Sequence, residues 1–176
     1  ISKELQETIF FKFLEDNKNL LTLAKILVNN KNEFKIPTKS LYYFANNPES
    51  LKIIIKYIFD SYEPKNQEIN DFLLYLSYND KISNFIVWQV INNSKKLEHD
   101  LLEKILDNFK NTNNSKTAKF LVFALFNNEN NISNEKKEDI VTNLFSKNNL
   151  KYIVYNNILQ IYDILSINEK SIILDY

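Results

Sequence analysis

The sequence predicts an all-α protein on three observations. Apolar residues recur three and four positions apart along nearly all of the 176 residues, the spacing that places them on one helical face. No stretch sustains the period-two alternation of a half-buried strand. A block of apolar residues also returns at a constant offset, which marks helices built as copies of one unit.

The helices follow in order. Leu5, Ile9 and Phe13 place a first helix over about 3–14, and Leu20, Leu23, Ala24, Leu27 and Val28 a second over about 19–28. After Ile36-Pro37-Thr38 a short helix carries Leu41, Phe44 and Ala45. The next start is the clearest. Asn47 suits an N-cap and Pro48 the first turn, where a missing N–H costs nothing. Leu51, Ile54, Ile55, Ile58 and Phe59 follow on one face, with Lys52, Lys56 and Asp60 opposite. Pro64 is expected to open a helix with Ile69, Phe72, Leu73 and Leu76 inward. Asp80, Ser94, Ser115, Ser133 and Asn149 are expected to precede five more, and a last piece runs from Asn168 through Ile172, Ile173 and Leu174. The links are short and rich in Asn, Ser and Asp, as between antiparallel neighbours.

Composition excludes several chemistries. The chain has no Gly, Cys or Met, and no Arg among its 22 basic residues, which 22 acids balance to zero net charge. Without Gly there is no phosphate-cradling loop, dinucleotide fingerprint or nucleophile elbow. Without Cys there is no disulfide or thiolate metal site. One histidine, His99, argues against a His-rich metal site or a His-based catalytic network. The absent guanidinium fork and the absence of any lysine run longer than two argue against nucleic acid as a partner. No apolar run approaches the ~20 residues of a bilayer span. The 28 Asn are scattered, as A/T-rich codons would produce, rather than gathered in a tract. The chain does not open with Met, so it is expected to be a piece of a longer protein, with a cytoplasmic setting favoured and no cofactor.

The repeat is best seen around Phe85. Phe85-Ile86-Val87-Trp88-Gln89-Val90-Ile91-Asn92-Asn93 becomes, 35 residues later, Phe120-Leu121-Val122-Phe123-Ala124-Leu125-Phe126-Asn127-Asn128. The same shift carries Ile105 to Ile140, Leu106 to Val141 and Phe109 to Leu144, and a shift of about 33 relates Leu102, Ile105, Leu106 and Phe109 to Ile69, Phe72, Leu73 and Leu76. The unit is a helix pair, expected at about 47–79, 80–113, 114–148 and 149–176, after irregular N-terminal helices over 1–46. One such pair cannot bury its apolar face alone, so copies stack into a shared core. In this the chain resembles the HEAT and armadillo α-helical repeats. The resemblance is architectural and implies one domain shaped as a short right-handed α-solenoid of stacked antiparallel helix pairs. A globular helical bundle is the alternative. The apolar end, 171–176, departs from the polar outer face a terminal repeat should present.

Candidate chemistry is sparse. His99, with Asp100 beside it and Glu103 one turn on, has the spacing of a carboxylate-oriented base, or of a solvated surface residue. Glu98, Asp100 and Glu103, and likewise Glu135, Glu138 and Asp139, interleave with Lys95, Lys96, Lys136 and Lys137 as solvated helix faces do. The aromatics are more telling. Trp88 and Phe123 share one repeat position, Tyr75 and Tyr78 lie one helix earlier, and Tyr152 and Tyr155 fall in the last unit. Such residues line either a binding groove or the buried faces of stacked helices.

The sequence thus points to a non-enzymatic interaction module. Its protein or peptide partner would be held through Trp88, Phe123, Tyr75, Tyr78 and Tyr155. Two other functions remain open: a HEAT-like nucleic-acid binder or DNA-glycosylase-like domain, and a small helical immunity or effector protein.

Overall fold

Asparagine and serine side chains set five of the helix starts. In the computed structural model, which describes residues 3–16, 18–29, 37–127 and 130–173, Asn47 Oδ1 accepts from the N–H of Glu49 and Ser50 at 3.1 and 3.0 Å. Ile36, Asn128 and Leu174 to Tyr176 lie outside those residues, as do the side chains of Leu5, Asn127, Ile172 and Ile173. The described residues form eleven α-helices and no strand. They are α1 (Lys3–Glu15), α2 (Leu20–Asn29), α3 (Leu41–Phe44), α4 (Pro48–Asp60), α5 (Gln67–Tyr78), α6 (Ser83–Asn92), α7 (His99–Lys110), α8 (Ser115–Asn127), α9 (Asn134–Phe145), α10 (Lys151–Ile161) and α11 (Ile167–Ile173).

Three starts differ from those the sequence suggests. Pro64 does not open α5. It sits in the preceding turn, where its carbonyl accepts from Asn70 Nδ2 at 2.8 Å, and Asn66 Oδ1 takes the N–H of Ile69. Ser94 begins a 3-10 turn over Ser94–Lys96, and α7 starts only at His99. Ser115 is the first residue of α8, and Asn114 does the capping, accepting from Lys116 and Thr117 at 2.9 and 3.1 Å. A carboxamide one position ahead satisfies two orphan N–H groups that a hydroxyl inside the helix does not reach.

The chain divides into two compact units, 1–72 and 73–176, with the division falling within α5. In the first, α2 packs on α4, and α1 and α3 complete the group. Leu14, Leu20, Ala24, Phe44, Leu51, Ile54 and Phe59 are almost wholly buried. Tyr42 meets Phe72 edge-on at 5.1 Å, and the Thr38 hydroxyl donates to the Glu68 carboxylate.

In the second unit, helices two apart in sequence are neighbours. α8 packs between α6 and α10, and α9 packs against both α7 and α11. Ile86, Val87, Leu121, Val122, Leu125, Ile105, Ile140 and Leu144 fill the space between with no exposed surface. Polar ties cross at the same spacing as the sequence period. Ser83 and Thr117 share a buried hydrogen bond of 2.8 Å, Asn108 Nδ2 donates to Ser77 Oγ at 2.8 Å, and Asn114 Nδ2 donates to the Asp80 carbonyl at 2.6 Å. Lys147 Nζ donates to the carbonyls of Lys110 and Thr112 at 2.9 and 2.8 Å, so it caps the C-terminal end of α7.

The outer helix of the row is finished differently. Leu121 and Leu125 of α8 are fully buried. Their counterparts 35 residues on, Asn156 and Gln160 of α10, are exposed and polar. A face covered by another helix in α8 is thus built for water in α10. The apolar end read at 171–176 lies, apart from Ser171, outside the residues whose side chains are described.

Candidate functional site

Charge is sorted by helix in the second unit. α7 and α9 each carry three acids and two lysines, whereas α6, α8 and α10 carry no acid at all. Zero net charge conceals this, because counting does not see the alternation of helices between two rows.

On α7 and α9 the charges face one another. Lys136 Nζ lies 2.7 Å from Glu103 and 2.9 Å from Asp107, and Lys110 Nζ lies 2.9 Å from Asp139 and 3.5 Å from Asp107. Burial pulls the Lys136 ammonium down, but its two carboxylate partners hold it above the ordinary lysine value. Asp139, as the main cause, raises Lys110 likewise. Burial would push Asp107 up, yet the two ammonium groups hold it below the carboxylate range. The lysines of this face are therefore not simply solvated, as their interleaved sequence suggested. Lys136 is half-buried, and Lys137 is buried between Glu169 of α11 at 2.9 Å and the ring of Phe126, 5.6 Å from its centroid. A lysine's long stem lets it lie under apolar surface while its amine meets a partner, and sequence spacing does not report that.

The expected aromatic site is split. Trp88 and Phe123 do meet, stacked with centroids 5.9 Å apart and planes at 27°. Both are half-buried, so they face each other across α6 and α8 more than they face solvent. Tyr75 and Tyr78 on α5 are 40% and 77% exposed, and Tyr155 on α10 is 51% exposed. His99 is exposed at the first position of α7.

A second aromatic set was not recognised as a set from the sequence, although its member Tyr155 was singled out. Phe85, Phe120 and Tyr155 stand 35 residues apart at one position of α6, α8 and α10. Phe85 is half-buried and Phe120 is 42% exposed. Four residues before each stands a lysine: Lys81, Lys116 and Lys151, all exposed. In α8 and α10 residues four apart share a helical face, whereas Lys81 lies in the turn that leads into α6. Lys81, Phe85 and Lys116 line one surface recess, which brings the first pair beside Lys116. Two residues before each lysine stands an asparagine: Asn79, Asn114 and Asn149. Asn79 Oδ1 accepts from the Lys81 N–H at 3.1 Å, and Asn149 Nδ2 donates to the Asn113 carbonyl at 3.4 Å. The signal was present as Asn-x-Lys-x-x-x-aromatic at a fixed period. It was hidden because Asn and Lys are abundant everywhere in the chain.

Among the described residues no group of three or more His, Asp or Glu side chains is placed to hold a metal ion, and no helix is long and apolar enough to cross a membrane. The chain matches no protein-family profile, no curated protein and no solved structure.

Proposed function

We propose that residues 73–176 form a short α-solenoid of the HEAT and armadillo kind that serves as a non-enzymatic module binding a protein or peptide partner. The partner lies across α6, α8 and α10. One observation carries this reading: an aromatic side chain recurs at the same position of three adjacent helices, with Phe120 and Tyr155 each about half open to water. Aromatic residues are the usual anchors of protein interfaces. A rigid row of helices offers them without an ordering cost on this side. Trp88 and Phe123 stack on each other between the same two helices that carry Phe85 and Phe120, and Tyr75 and Tyr78 are exposed on α5.

The test is a peptide library panned on the chain, followed by binding of the selected peptides to Phe120→Ala/Tyr155→Ala. The proposal expects most selected peptides to lose at least tenfold in affinity while far-UV helicity is kept. Peptides that bind the double variant as well as the parent would place the interaction elsewhere.

A further inference from the structure

The exposed lysines ahead of the aromatic row say what kind of partner fits it. We infer that Lys81–Phe85, Lys116–Phe120 and Lys151–Tyr155 receive an extended acidic peptide carrying Asp or Glu at about every third residue, with apolar residues between. The inference rests on the binding reading above and names the chemistry of its ligand.

Charge complementarity is the first argument. α6, α8 and α10 hold no acid, and Lys119 adds a further exposed cation on α8. Among the described residues no ion pair includes Lys81, Lys116, Lys119 or Lys151. Four acids of α7, α9 and α11, namely Glu103, Asp107, Asp139 and Glu169, are matched by Lys110, Lys136 and Lys137. The nearest acid in sequence to the lysine row is Asp80, whose carboxylate accepts from the Thr112 hydroxyl at 2.5 Å. A row of cations outside every ion pair, on elements whose helices carry no acid, is arranged for an external anion.

Spacing is the second argument. Packed helices stand about 8–10 Å apart, so the row presents one ammonium and one aromatic ring per ~8–10 Å. A peptide in the polyproline-II conformation advances ~3.1 Å per residue and turns once in three, so side chains three apart share one face about one helix spacing apart. Every third side chain meets a lysine, and apolar side chains between them meet Phe85, Phe120 and Tyr155. A nucleic-acid strand presents a phosphate every ~3.4 Å along a duplex axis. Most of its charges would find no cation here, and no arginine is available to bridge two.

The experiment is fluorescence anisotropy with three labelled probes. One is a synthetic peptide with Asp at every third position and Leu and Phe between. The second is the same peptide with Asn for Asp, and the third is an oligothymidine of equal length. Each is titrated into the full chain and into Lys81→Gln/Lys116→Gln/Lys151→Gln, whose exposed substitutions leave the core intact, as far-UV circular dichroism verifies. The acidic peptide should bind at least tenfold tighter than its Asn form, and lose at least tenfold in the triple variant. Equal binding of both peptides, binding unchanged in the triple variant, or tighter binding of the oligothymidine each overturns the inference. The outcomes also separate the two proposals. If library-selected peptides depend on Phe120 and Tyr155 but not on the three lysines, the binding module stands and the acidic partner falls. If they depend on neither, both fall.

Discussion

Lys137 of α9 and Glu169 of α11 form an ion pair of 2.9 Å, with side chains only 9% and 17% exposed. Glu169 also serves Ser166 at the start of α11. Its carboxylate accepts from the Ser166 N–H and hydroxyl at 3.1 and 2.8 Å, and Ser166 Oγ accepts from the Glu169 N–H at 3.3 Å. This reciprocal capping box and the ion pair meet in one carboxylate.

Acid should therefore release α11 before the rest of the second unit. Burial pushes Glu169 up, but the bonds from Lys137 and Ser166 outweigh it and hold the group below its ordinary value of 4.5. A depressed carboxylate contributes stability that is complete above its unfolded value and is lost as pH falls through the folded one. Protease sensitivity at α11 should rise only below about pH 4.5. Glu169→Gln should show that sensitivity at neutral pH and lose about 2 kcal/mol, because it strands a buried ammonium. A flat pH profile in the parent protein would contradict this.

The buried Ser83–Thr117 pair ties α6 to α8. Thr117→Val should cost about 1–2 kcal/mol by leaving the Ser83 hydroxyl without this partner. Adding Ser83→Ala should cost less than the sum of the two single changes, since both polar partners are then gone. Urea denaturation of the four proteins in the cycle measures the coupling, and additive losses would mean the bond is worth nothing.

Asn114 performs two tasks, capping α8 and donating to the Asp80 carbonyl. Asn114→Ala should lower stability by about 1–2 kcal/mol. The exposed Asn156→Ala should stay within about 0.5 kcal/mol. Thermal unfolding of both variants decides whether asparagine here is structural or only compositional.

Trp88 is the sole tryptophan, so its fluorescence reports its stack on Phe123. Phe123→Leu should shift the Trp88 emission with helicity unchanged, and Trp88→Ala should destabilise by about 2 kcal/mol, less than for a fully buried ring. A Trp88→Ala variant of unchanged stability would mean that the indole faces a partner instead.

Much of this was legible in the sequence, and the failures have physical causes. The 3.6-residue periodicity located the helices because core burial repeats faithfully, as Leu51, Ile54, Ile55 and Ile58 show. Asn47 and Ser133 were read correctly as starts because side-chain capping is local. Pro64 misled because its fixed φ suits a turn as well as a first helical turn. Lys136 and Lys137 misled because a charged residue's burial depends on the neighbouring helix, not on its own. The sorting of charge between two rows was invisible for the same reason. It appears only once Lys116 and Lys151, and Lys81 in the turn before α6, are placed on elements that adjoin in space although 35 residues apart.

The most direct test of the account is hydroxyl-radical footprinting of the chain, free and bound to a library-selected peptide, read residue by residue by mass spectrometry. The account predicts that Phe85, Phe120 and Tyr155 lose reactivity together on binding while His99 on α7 keeps its own. Protection of His99 and the α7 and α9 surface, with the three aromatics unchanged, would contradict it.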